Sequence, residues 1–134
     1  MKTTTSLNTI LAAIGLSLTL VQPATAVEDA NFRFDTTADL SRVCSVTDDA
    51  AEYLVAHEAC RAFVEATVQY HDEISNRKNL KRLICYPSTA TIEDAKQAFV
   101  AWATAHDGDK KLVAEQPVVG VVRSLAAKYP CKMK

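Results

Sequence analysis

Three histidines and four cysteines are the residues of this 134-residue chain whose types could do chemistry. His57 and Cys60 stand one helical turn apart, and His71-Asp72-Glu73 sets a base beside two acids. A Cys–His pair could make a nucleophile if one thiol stayed free, and His with Cys could hold half a metal site. Neither chemistry survives: four cysteines in an oxidising compartment argue against a free thiolate, and the spacing argues against a shared metal. His57 and His71 are 14 residues apart, roughly 21 Å along a helix at 1.5 Å per residue, too far to share a metal. Neighbouring residues such as His71 and Asp72 point in different directions on a helix. No Cys-x-x-Cys occurs, and three glycines in the whole chain leave no phosphate-cradling loop. The residues therefore predict a protein that is not an enzyme, with no cofactor and no metal.

The cysteines have another use. Residues 1–26 carry the three parts of an export signal: Lys2 as the charged start, the uncharged apolar run Ile10–Val21, and the small-x-small site Ala24-Thr25-Ala26. That run of about 12 residues is too short to span a bilayer as a helix. Cleavage after Ala26 would leave residues 27–134 as one domain, with Cys44, Cys60, Cys85 and Cys131 all in it. An even count in a small exported domain predicts two disulfides. Without Lys2 the chain has 14 basic residues against 16 acidic ones, which gives no electrostatic reason to bind nucleic acid.

The elements that must position these residues read as helices. The longest stretch, Asp48 to Ile74, lacks Pro and Gly and repeats Tyr53, Ala56, Cys60, Phe63, Thr67, Tyr70 and Ile74 every three or four residues. About 27 residues would make a helix of roughly 40 Å, with Thr47 or Asp48 as its cap. Cys60, Phe63 and Ala66 read as its packing side. Ahead of it, residues 27–36 look polar and frayed, and Thr37–Cys44 forms a short helix with Leu40, Val43 and Cys44 on one side. Behind it, Ser75 to Arg82 is the most basic segment. Leu83 to Pro87 is extended, because Pro87 drives Tyr86 out of helical geometry.

Thr91 followed by Asp94 opens a third helix with a capping pair. Ile92, Ala95, Ala98, Phe99, Trp102 and Ala103 form its buried face, and Gly108 offers a left-handed end. A last helix runs from Lys111, or from Pro117 as its first residue, to Lys128. No alternating run is long enough for a strand. The expected fold is all-α: four helices around one long central helix, stapled by two disulfides.

The cysteine context resembles the Rap/Tai family of immunity proteins. Leu40-Ser41-Arg42-Val43-Cys44 matches that family's Leu-x-x-x-Cys. Cys60-Arg61-Ala62-Phe63-Val64-Glu65-Ala66 matches its Cys-x-x-Tyr-x-x-Gly, with Phe63 for Tyr and Ala66 for Gly. Cys85-Tyr86-Pro87 and Tyr129-Pro130-Cys131 match the remaining two elements. Gln69 stands where members often carry an acid, the Cys44–Cys60 interval is longer than usual, and the basic segment is this chain's own. The resemblance implies a periplasmic, helical, often homodimeric protein, free of the membrane after signal cleavage. Such a protein occludes the active site of a peptidoglycan amidase secreted by type VI secretion.

A more distant shape likeness to the acid chaperone HdeA implies Cys44 paired with Cys85 and Cys60 with Cys131. Cys44–Cys60 with Cys85–Cys131 is the competing arrangement. The same likeness supplies the alternative function, an acid-stress chaperone or other non-enzymatic periplasmic helical protein. Immunity specificity lies in variable surface loops. The expected contact residues are Asn76, Arg77, Lys78 and Asn79 in the basic segment, Tyr86 beside Pro87, and the tip with Asp107, Asp109, Lys110 and Lys111.

Overall fold

A computed structural model describes residues 27–132. The expected signal, Met1–Ala26, lies outside the described residues, as do Met133 and Lys134. Five α-helices follow one another: α1 (Thr37–Cys44), α2 (Tyr53–Arg77), α3 (Ile92–Ala105), α4 (Lys110–Val113) and α5 (Pro117–Lys128). Among the described residues there is no strand; a single antiparallel bridge joins Ile84 to Pro130. The all-α expectation holds, with the last helix divided into a short α4 and a longer α5.

The helix starts follow local chemistry. At α1 the Thr36 hydroxyl accepts from the Asp39 N–H (3.2 Å) while the Asp39 carboxylate accepts from the Thr36 N–H (3.0 Å). Thr91 and Asp94 repeat that reciprocal box at α3, at 3.1 and 2.8 Å. Pro117 opens α5, where its missing N–H costs nothing. The long helix begins later than the sequence predicts, at Tyr53 rather than Asp48. The Thr47 hydroxyl donates to Asp49 Oδ1 instead of capping, and tight turns run Ala50 N–H to the Thr47 carbonyl and Tyr53 N–H to the Ala50 carbonyl. Polar side chains bonding locally compete with the helix there. At the other end α2 runs past Ile74 through Arg77, so Asn76 and Arg77 are helical, not loop residues.

Residues 27–36 are not frayed. A 3-10 helix spans Asp29–Arg33, and buried Asn31 ties it to α1: its Oδ1 accepts from the Glu28 N–H and its Nδ2 donates to Asp39 Oδ1, each at 2.9 Å. Phe34, in a left-handed conformation at φ 54°, turns its ring edge-on to Phe63 of α2, 5.3 Å between centroids. Gly108 does not form a left-handed cap, since none of the described glycines has a positive φ.

The core joins Leu40, Val43 and Cys44 of α1, Ala56, Cys60 and Val64 of α2, Phe99 and Ala103 of α3, Val121 and Leu125 of α5, and Ile84 from the extended segment. The buried stripe of α2 is Ala56, Cys60, Val64, Thr67 and Ser75. Tyr70 is exposed, and so is Ala66, against the expected packing side. Six residues from Cys60, Ala66 stands about 120° around a helix of 3.6 residues per turn, whereas Val64 stands about 40° away.

The disulfides are Cys44–Cys60 and Cys85–Cys131, with Cα–Cα distances of 5.1 and 4.9 Å. This corrects the lead pairing of Cys44 with Cys85 and Cys60 with Cys131. The chain after α2 does run back along the helix, but it stops too soon. Leu83 N–H donates to His71 Nε2 and Tyr86 bonds Asp72, so Cys85 lies level with residues 71–72, about 18 Å along α2 from Cys60. There the Cys85 N–H meets the Tyr129 carbonyl (2.9 Å), which brings Cys131 alongside.

Candidate functional site

The basic segment leaves α2 through a left-handed turn. Lys78 closes the helix, Asn79 takes φ 50°, and the Leu80 N–H reaches back to the Ser75 carbonyl at 3.1 Å. This is the Schellman end of a helix with Asn in place of Gly, and it turns Leu80 back beside Ile74. The chain is then clamped to α2 by a half-buried polar cluster. Asp72 receives the Arg82 guanidinium, the Tyr86 hydroxyl and His71 Nδ1, the last at 3.1 Å. Because His71 Nε2 accepts the Leu83 N–H at 3.2 Å, the ring proton lies on Nδ1 and is donated to Asp72. The sequence expectation that His71 and Asp72 point apart fails: Asp72 leans across to the ring. Both ring nitrogens are thereby occupied in holding the loop.

Burial would raise the Asp72 carboxyl, but the Tyr86 and His71 hydrogen bonds and the Arg82 charge outweigh it and hold it below the usual carboxylate range. Burial and the bond to Asp72 push the Tyr86 hydroxyl up from its ordinary value. Tyr86 is thus half-buried and anchored, with its ring at the edge of a small apolar pocket with Val68, Ile92 and Leu125.

The second expected contact segment is separate. His106 stacks on Trp102 at 4.5 Å and its Nδ1 bonds the Trp102 carbonyl at 2.7 Å. Asp107, Gly108, Asp109, Lys110 and Lys111 are all exposed. Asp109 caps α4, accepting from the Lys111 and Leu112 N–H groups at 3.0 and 3.2 Å. Farther on, Thr37 donates its N–H and hydroxyl to the Glu115 carbonyl, and Arg123 grips the Glu115 carboxylate with two bonds of 2.9 Å. Among the described residues no hydrogen bond or ion pair joins this tip to the basic segment.

Of the basic segment's cations, Arg77 pairs with Glu73 and Arg82 with Asp72. Lys78 and Lys81 are exposed and, among the described residues, have no carboxylate within ion-pair distance. Between this loop, α2 and α5 lies an open apolar groove of about 260 Å³, lined by Tyr70, Ile74, Leu80, Leu83, Val118 and Val122. Sequence reasoning missed it by treating Ser75 to Arg82 as purely basic. The signal was there in Leu80 and Leu83, two leucines among cations with no helical partner of their own.

The three histidines lie apart. His57 faces Glu58 and Glu93, at 3.2 and 3.8 Å. Among the described residues no group of three or more His, Cys, Asp or Glu side chains could hold a metal ion, no cysteine is free, and no helix is long and apolar enough to cross a membrane. The surface presents a pinned cationic loop, an apolar groove and a capped tip on a covalently stapled frame.

No curated protein and no solved structure matches the chain. A family model described as Rap1a immunity proteins matches residues 36–131, from the cap of α1 to the last cysteine. That span covers every core helix and all four cysteines, and the chain belongs to the Rap1a immunity protein family.

Proposed function

We propose that this protein is a periplasmic immunity protein that binds a peptidoglycan amidase delivered by type VI secretion and occludes its active site. The family match over residues 36–131 carries the reading. Two disulfides suit an oxidising compartment, and residues 1–26 have the sequence of an export signal. Oxidation of all four cysteines removes the thiolate that a Cys–His nucleophile would need. The protein therefore acts by binding. Its contact surfaces are Lys78, Asn79 and the helical Asn76 and Arg77 at the end of α2, Tyr86 at its clamp, and the tip 107–111. These are held in place before binding, so little ordering entropy is lost on association.

Protection of cells is the test. Bacteria made to export a candidate type VI peptidoglycan amidase to their own periplasm should lyse, and co-expression of the full chain should restore growth. Deleting residues 1–26 should abolish that rescue. Rescue by the deleted form would contradict periplasmic action, and lysis despite the full chain would contradict immunity to that amidase.

A further inference from the structure

We infer that the apolar groove formed by Tyr70, Ile74, Leu80, Leu83, Val118 and Val122 seats the effector, accepting an apolar protrusion of that protein ringed by acidic side chains. The inference rests on the immunity function proposed above and names the surface and the partner chemistry.

The exposed apolar side chains are not scattered. Of the six large hydrophobics most open to solvent among the described residues, Tyr70 (67%), Leu80 (54%), Leu83 (52%) and Val118 (37%) gather in this groove. Single exposed apolar residues are ordinary on a protein surface, whereas a convergent group marks an interaction face. The groove is also built. The left-handed Asn79 and the Leu80 N–H bond to Ser75 turn Leu80 back to line the groove with Ile74, and the Leu83 backbone is pinned to His71. Two leucines are thus displayed on a loop that has already lost its freedom, which favours association.

Charge selects the occupant. Arg77 and Arg82 are neutralised by Glu73 and Asp72, but Lys81, which lines the groove, and Lys78, in the turn that leads into it, are not. A second copy of this chain related by a two-fold axis through the groove would set that cationic rim against itself. A different protein with acidic groups around an apolar knob meets it with opposite charge, which raises the association rate and the specificity.

The experiment measures binding of the purified chain to the purified amidase of the protection test above, for the native protein and for Tyr70→Ser, Leu80→Ser and Lys81→Glu. All three side chains are exposed, and thermal melts check that each variant folds. Each apolar variant should weaken the Kd by about tenfold or more. Lys81→Glu should slow association and reduce its dependence on salt. Native affinity in both apolar variants overturns the groove while leaving the immunity function standing. Loss of self-association by those variants with amidase affinity intact identifies a second copy as the occupant and also overturns it. An amidase that does not bind the native chain overturns the function and the groove together.

Discussion

Asp72 takes donors from three side chains: the adjacent His71, Arg82 ten residues on and Tyr86 fourteen residues on. A carboxyl held below its ordinary value in the folded protein stabilises the fold above the unfolded value of about 3.9, and loses that contribution as pH falls through the depressed folded one. Asp39 works the same way: burial pushes it up, and bonds from Thr36 and Asn31 outweigh that. Stability should therefore fall as the pH drops below about 4. Asp72→Asn should cost about 1–2 kcal/mol at pH 7 and flatten part of the acid loss, read from melts at pH 7 and pH 3. An unchanged acid profile would mean that Asp72 does not hold the loop. Nothing local announced this cluster. Asp72 was visible as one acid beside a histidine, but its main partners come from a segment whose path is set by tertiary packing. The capping box at Thr91 was legible because all its atoms lie within four residues.

The helices themselves were largely readable from periodicity, and the errors fall where two forces compete. Taking Cys60, Phe63 and Ala66 as one packing side of α2 misplaced Ala66: the covalent link at Cys60 and the seat of Phe34 on Phe63 turn Val64 inward instead. Ala66→Leu should accordingly leave stability within about 0.5 kcal/mol; a clear loss by denaturant titration would place Ala66 in a contact. Gly120 behaves in the opposite way. In mid-helix, Gly→Ala normally gains up to about 1 kcal/mol. Here an added Cβ would fall 2.5 Å from Thr37 Cγ2 and 2.6 Å from its Oγ1. Thr37 cannot withdraw, because it is fully buried, β-branched and bonded to the Glu115 and Gln116 carbonyls. Gly120→Ala should destabilise by about 1–3 kcal/mol. A rise in melting temperature would show that α1 and α5 do not pack this closely. The 3-10 helix at Asp29–Arg33 escaped the sequence reading because what orders it is one buried amide, Asn31, with Phe32 and Phe34 packed on the core, not a periodic pattern.

At the scale of the molecule, two disulfides divide the work. Cys44–Cys60 ties α1 to α2 inside the core, and Cys85–Cys131 closes the extended segment onto the chain end. The number of disulfides was legible in the cysteine count and the pairing was not, because it depends on how far the chain returns along α2. Closing 16 and 46 residues restricts the unfolded chain by about 3 and 4 kcal/mol respectively. Cys44 and Cys60 are buried while Cys85 is exposed, so mild reductant should open Cys85–Cys131 first. Alkylation and mass mapping should label Cys85 and Cys131 before the other two; the reverse order would contradict the burial. That frame leaves the cationic loop and its groove fixed in position for the binding proposed above. The most direct measurement is a titration of the peptidoglycan hydrolysis of the amidase in the protection test with the purified protein. Activity should fall linearly to near zero as the protein approaches stoichiometric amounts, and an amidase that stays fully active under a large excess would contradict the account.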